Sequence, residues 1–271
     1  MNEQDQNDTP AITVASRGCV ELWAGSELAH RHVQLVGLEA DVLSVPCAAQ
    51  EGGDLYAFFS CAADREARIL LADCVGHGHE ASVIASYIHG LIRRHRDILD
   101  NSRFLSALND EFAHPGQTPE APLRLSTFIT ATFDQHTGEF NYAYAAHPRM
   151  FLWQARYRRW FTLDGLEGFP VGAFAGSAYT QQSIHVEPAD IILMFSDGAT
   201  DVLSPDDEML TVEGLLELAS RTLEKLPVKF PLALFVTALA EAIRDFHGSG
   251  DLEDDLTLLT LRRSSLVSAS S

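Results

Sequence analysis

Positive charge is scarce in this sequence: Lys and Arg number 19 against 38 Asp and Glu, a formal net charge of −19. A surface of that sign repels nucleic acid and anionic membranes, so neither is an expected partner. Cysteine is sparse as well. Cys19, Cys47, Cys61 and Cys74 form no C-x-x-C pair and no zinc-type spacing, which leaves four reduced thiols as the simplest state. No apolar run is long enough to cross a bilayer, and no basic, apolar, small-residue leader is visible. The expected setting is therefore the cytoplasm. Internal repeats, low-complexity blocks and interdomain linkers are absent too, which points to one domain.

The hydrophobic content is 46% over 271 residues, enough to bury a large core. The expected extents are a partly flexible N-terminal segment over 1–27, a folded domain over 28–263 and a disordered Ser-rich tail over 264–271. Strands are expected in Ile12–Trp23 and His32–Val45, at Leu55–Phe59, Ile69–Ala72, Phe128–Phe133, Glu139–Ala146, Met150–Trp153, Arg159–Leu163, Ile191–Phe195 and Leu256–Leu261. Helical spacing marks a block over 80–113 and two further stretches, Val212–Leu226 and Pro231–Phe246. Many strands with helices in two blocks read as an α+β sandwich, its sheets covered by helices.

The stretch around which the rest is organised is Ile69–Ala81. Four apolar residues deliver Asp73 to a strand end, Gly76 and Gly78 permit a tight turn, and a helix follows from Glu80. Asp54, behind Gly52-Gly53, is expected at the same end of a neighbouring antiparallel strand. Asp197, after Ile191–Phe195, and Asp254, before Leu256–Leu261, repeat the pattern of a carboxylate where an apolar strand meets a polar turn. Hard divalent cations prefer such oxygen ligands. Two ions roughly 3.5–4 Å apart can activate a water and clamp a phosphoryl group.

Six segments in order resemble one family. Leu71-Ala-Asp-Cys-Val-Gly-His-Gly-His-Glu-Ala81 resembles the Asp-Val-x-Gly-His-Gly segment of metal-dependent PPM/PP2C-type protein serine/threonine phosphatases, in the SpoIIE/RsbU-like branch. Gly52-Gly-Asp-Leu-Tyr56, Thr137–Pro148, Gly168-Phe-Pro-Val-Gly172, Phe195–Asp201 and Asp254–Leu259 are similar to its other segments. The resemblance implies a PP2C-like sandwich of two antiparallel β-sheets flanked by α-helices, with the phosphatase domain over 28–263. It implies two Mn²⁺ or Mg²⁺ ions, bridged by Asp73, with the Cys74 carbonyl as a further ligand. Asp197 and Asp254 complete one ion and Asp54 supports the other, while Asp255 is the lesser neighbour of Asp254. Asp73, Asp197 and Asp254 are thus the catalytic set, with Gly76, His77 and Gly198 on the substrate side.

The activity so implied is hydrolysis of phosphoserine or phosphothreonine by a metal-activated water, without a phosphoenzyme. The implied partner is a phosphorylated regulatory protein such as an anti-sigma antagonist. The alternatives are a catalytically silent binding module on the same fold and a phosphatase of small metabolites. The sequence departs from the family pattern at Ala57 (often Asp), Tyr144 (Asn), Ala146 (Gly) and Asp201 (Glu). His147 is expected as a buried structural histidine, and Cys74 is expected to act through its backbone.

Overall fold

The structure is a computed structural model that describes residues 19–25, 28–47, 52–61, 66–76, 79–113, 125–165, 167–248, 250 and 252–264. Two sheets face each other. The first contains β1 (Cys19–Gly25), β4 (Asp54–Cys61), β5 (Glu66–Cys74), β6 (Ser126–Asp134), β7 (Glu139–Ala145) and β10 (Glu167–Gly168) in that order, with β11 (Gln181–His185) also on β7. The second contains β2 (Ala29–Leu35), β3 (Leu38–Val45), β13 (Leu256–Arg263), β12 (Ile191–Phe195), β8 (Phe151–Gln154) and β9 (Arg159–Thr162) in that order. Pairing is antiparallel throughout except for the two-residue β10, which runs parallel to β7. Helices α1 (His79–His95) and α2 (Asn101–Phe112) cover the first sheet, and α3 (Thr211–Lys225) and α4 (Leu232–His247) the second.

Strand alternation builds this layering. On β5, Ala67, Ile69 and Leu71 enter the core between the sheets, while Leu70 and Ala72 pack under α1 and α2. On β13, Leu259 and Leu261 enter the same core, and Leu256 and Leu258 meet α3 and α4. A strand buried on both faces reads as an unbroken apolar run, which is why these two are so plain in the sequence. Tyr56, Phe58, Phe133, Phe140 and Tyr144 fill the centre, each fully buried. Every such side chain removed from water contributes about 1.5–3 kcal/mol.

The helical block expected over 80–113 is two helices. Asp100 ends the break between them by accepting a hydrogen bond from the Arg103 N–H at 2.9 Å, an N-cap for α2. Buried Arg68 fixes this corner to the sheet. Its guanidinium donates to Asn101 Oδ1 (3.1 Å), Thr130 Oγ1 (2.9 Å) and the Ile98 carbonyl, and lies 4.1 Å over the Phe104 ring. At the other end of the chain order, β1 lies within the segment expected to be partly flexible, yet it pairs with β4 at all seven positions. Trp23 stacks on His89 of α1 at 3.7 Å, and Glu21 pairs with Arg93 at 2.7 Å. These contacts seat β1 on the edge of the first sheet and against α1. The expected tail beyond Ser264 lies outside the described residues.

Candidate active site

All four aspartates singled out from the sequence lie at one end of the sandwich. Asp54 opens β4 and Asp73 lies near the end of β5, directly opposite each other in the antiparallel register. Asp197 begins a single 3-10 turn, Asp197–Ala199, just past β12. Asp254 precedes β13, and the Ser196 N–H donates to the Thr257 carbonyl at 3.1 Å, which holds these two strand ends together. The first sheet thus supplies Asp54 and Asp73, and the second Asp197 and Asp254.

The four carboxylates affect one another's charge. Asp54 is 2% exposed, and neither of its carboxyl oxygens has a hydrogen-bond partner. Burial, and then the charge of Asp73, holds it well above the usual carboxylate range; the Thr257 and Ser196 hydroxyls, themselves bonded to Ser44 and to the Asp255 carbonyl, offset this only in part. Burial pushes Asp73 up to about 7, reinforced by Asp197, Asp254 and Asp255. Asp197 is raised by burial, then by Asp254 and Asp201. Among the described residues, no three His, Cys, Asp or Glu side chains already close on one point as a metal cage. Like charges close enough to raise one another resist such closure.

The donor set nevertheless fits a hard divalent cation. It is oxygen-only and acidic, and it includes a dry carboxylate with no donor to satisfy it, a costly arrangement in the absence of positive charge. The Cys74 carbonyl stands against Gly53, the residue before Asp54: a Cβ on Gly53 would lie 2.6 Å from that oxygen, so only glycine admits this approach. The Cys74 thiol is buried against Ser126 and pushed up to about 12, chiefly by burial, so it does not ionise at neutral pH. Gly76 adopts φ +104° with open space around it, so its backbone conformation rather than crowding calls for glycine. His77 and Gly78 lie outside the described residues. Gly198 is packed against the Asp255 carbonyl and lines a small cleft with Asp201, His247 and Asp254.

The departures from the family pattern sort by position. Ala57 is fully buried under α1 and α2. Tyr144 is a core residue whose hydroxyl donates to the Leu163 carbonyl (2.9 Å) and accepts from the Met150 N–H (3.1 Å). His147 is buried, with Nδ1 2.7 Å from Thr127 Oγ1, and burial pushes it down to about 3, so it remains a neutral structural group. Ala146 sits at φ +53°, in the left-handed region where a Cβ is strained. Ala146→Gly is expected to leave the fold unchanged and raise stability by up to about 1 kcal/mol, measurable by urea unfolding. Asp255 accepts hydrogen bonds from the backbone N–H groups of Cys47, Gly53 and Asp54.

With the geometry in hand, the comparisons with known proteins decide the family. The Stage II sporulation protein E (SpoIIE) family profile matches residues 63–264, most of the chain. The chain belongs to the SpoIIE family. Among the relatives of this SpoIIE-family chain, phosphoserine phosphatase RsbU of Bacillus subtilis (strain 168) is 29% identical over 243 residues. That alignment takes in 83% of this chain and 63% of RsbU, so the chain spans less than two-thirds of its relative's length. The SiaA-PP2C domain of Pseudomonas aeruginosa superposes with TM-score 0.69 at 15% identity, over 82% of this chain and 84% of that one. RsbX, solved in complex with magnesium, superposes with TM-score 0.59 at 17% identity, over 87% of this chain and 100% of its own. At such identities these two establish the fold: a PP2C-type sandwich of two antiparallel sheets flanked by helices.

Proposed function

We propose that this SpoIIE-family chain is a metal-dependent protein serine/threonine phosphatase in the cytoplasm, with one phosphatase domain over 28–263 to which β1 adds a strand. The observation that carries this reading is the pairing of Asp54 and Asp73 on one sheet against Asp197 and Asp254 on the other, with buried Asp54 unsatisfied by any donor. Two Mn²⁺ or Mg²⁺ ions would be held by Asp73 as the shared ligand, the Cys74 carbonyl, Asp197, Asp254 and Asp54. When bound, such ions supply an acidified water and a positive clamp on phosphoryl oxygens.

The residues of the chain do the rest. Asp73 and Asp197 are half-buried and Asp254 is exposed, so the site opens from a dry floor at Asp54 towards solvent where a phosphorylated side chain can enter. Gly76, two residues past Cys74, has open space around it. No described helix is long and apolar enough to cross a membrane, and the acidic surface suits a protein substrate better than nucleic acid. The name of RsbU, a phosphoserine phosphatase, supports a phosphoserine substrate; the family resemblance of the sequence extends this to a phosphorylated regulatory protein such as an anti-sigma antagonist.

The test is hydrolysis of p-nitrophenyl phosphate and a phosphoserine peptide with and without added Mn²⁺, wild type beside Asp197→Asn. Turnover that requires the metal and disappears in the variant is the expected result. Preference for small phosphorylated metabolites over the peptide would replace the protein substrate with a metabolite. No turnover with any divalent ion would leave a silent binding module.

A further inference from the structure

Asp255 is 8% exposed and stands next to a proposed ligand, yet its oxygens are engaged elsewhere. Oδ1 accepts from the Cys47 N–H at 2.7 Å, while Oδ2 accepts from the Gly53 N–H at 2.5 Å and, more weakly, from the Asp54 N–H at 3.4 Å. Its backbone carbonyl accepts from Ser196 Oγ at 3.2 Å, and that oxygen in turn accepts from the Thr257 N–H at 2.9 Å. One residue is therefore bonded just past β3, at the start of β4 and at the end of β12. Those strands belong to different sheets. Space around it is kept clear on both sides: a Cβ on Gly52 would lie 2.2 Å from Oδ2, and one on Gly198 2.2 Å from the carbonyl oxygen.

We infer that Asp255 is a positioning residue that fixes the spacing between the two pairs of metal-binding aspartates, without itself binding the metal. This rests on the metal-dependent reading above. Asp54 and Asp73 can move relative to Asp197 and Asp254 only if the sheets shift at this end, and Asp255 ties them there. A carboxylate is required because N–H donors approach both of its oxygens. The shape-matched amide turns one acceptor into a donor and leaves at least one buried N–H unpaired. Outer-shell partners of this kind typically tune metal affinity by 10–100-fold.

The experiment compares wild type and Asp255→Asn by calorimetric titration with Mn²⁺ in the absence of substrate, with melting curves and Mn²⁺-dependence of turnover alongside. The expected variant is folded, binds Mn²⁺ at least about tenfold more weakly, and regains near-wild-type kcat at saturating Mn²⁺. A folded variant with wild-type Mn²⁺ affinity overturns the inference. So does a variant that no Mn²⁺ concentration rescues, which would make Asp255 a ligand. Wild type that binds no Mn²⁺ overturns the metal-dependent reading itself, and the inference with it. Should the variant not fold, amide hydrogen exchange on metal-free wild type decides: the Cys47 and Gly53 amides exchange slowly if Asp255 holds them, and rapid exchange overturns the inference.

Discussion

Replacing Asp73 by asparagine is expected to lower turnover of a phosphoserine peptide by about a thousandfold or more while leaving the fold intact. Asp73 is the carboxylate on which the other acids converge, raised by Asp197, Asp254 and Asp255 after burial itself. On the proposed reading it would hold both ions, so its loss would take away the clamp of positive charge they would set against the phosphoryl oxygens. Such a clamp supplies several kcal/mol of transition-state stabilisation, and about 4 kcal/mol corresponds to roughly a thousandfold in rate. The fold is expected to survive because asparagine keeps the shape and takes a negative charge out of a repulsive cluster. Steady-state kinetics with far-ultraviolet circular dichroism checks both halves. Wild-type turnover in a folded Asp73→Asn protein would remove this residue from the site.

Metal-free protein is expected to lose stability as pH rises from 5 to 8, and to regain it on addition of Mn²⁺. Asp54, Asp73 and Asp197 all have folded-state pKa values above the ordinary 3.8. The folded chain therefore holds protons that the unfolded chain releases. This contribution is fully present below pH about 4 and is lost as pH climbs through about 7, the value for Asp73. For Asp73 alone the upper limit is about 4 kcal/mol. A cation at a hundredfold over its dissociation constant restores about 2.7 kcal/mol, or roughly 5–10 °C in melting temperature for a domain of this size. Melting curves at pH 5 and 8, in chelator and in Mn²⁺, test this, with Asp73→Asn as the reference whose pH response is smaller. A melting temperature at pH 8 indifferent to Mn²⁺ would contradict it.

The parts of this fold that are plain in the sequence are those whose signals are local. Ile191–Phe195 and Leu256–Leu261 lie buried on both faces, so they read as continuous apolar runs, and the aspartates at their ends become candidates by position alone. The opposition of Asp54 and Asp73 follows from a hairpin between neighbouring strands, and the register bears it out. What the sequence conceals is tertiary. Gln181–His185 is polar and partly exposed, and it is a strand only because β7 offers it an edge. β1 owes its place to β4 and to Trp23 and Glu21 meeting α1. Asp255 receives N–H groups 208, 202 and 201 residues away in sequence, so no local pattern announces its task.

The position of β13 has a consequence for how the protein is made. It lies between β3 and β12, paired with β3 at eight positions and with β12 at five, and Ser44 on β3 waits for Thr257 across 213 residues. During synthesis, β3 emerges from the ribosome long before the strand that completes its sheet. Until then β3 and the strongly apolar β12 carry open edges, a state prone to mispairing and slow to resolve when contacts are so distant in sequence. The same late strand follows Asp254 and Asp255, so the nascent chain holds no complete set of these acids until both later strands of the sheet are nearly made. Premature termination before Leu256 would therefore yield an aggregating fragment rather than a weakened folded chain.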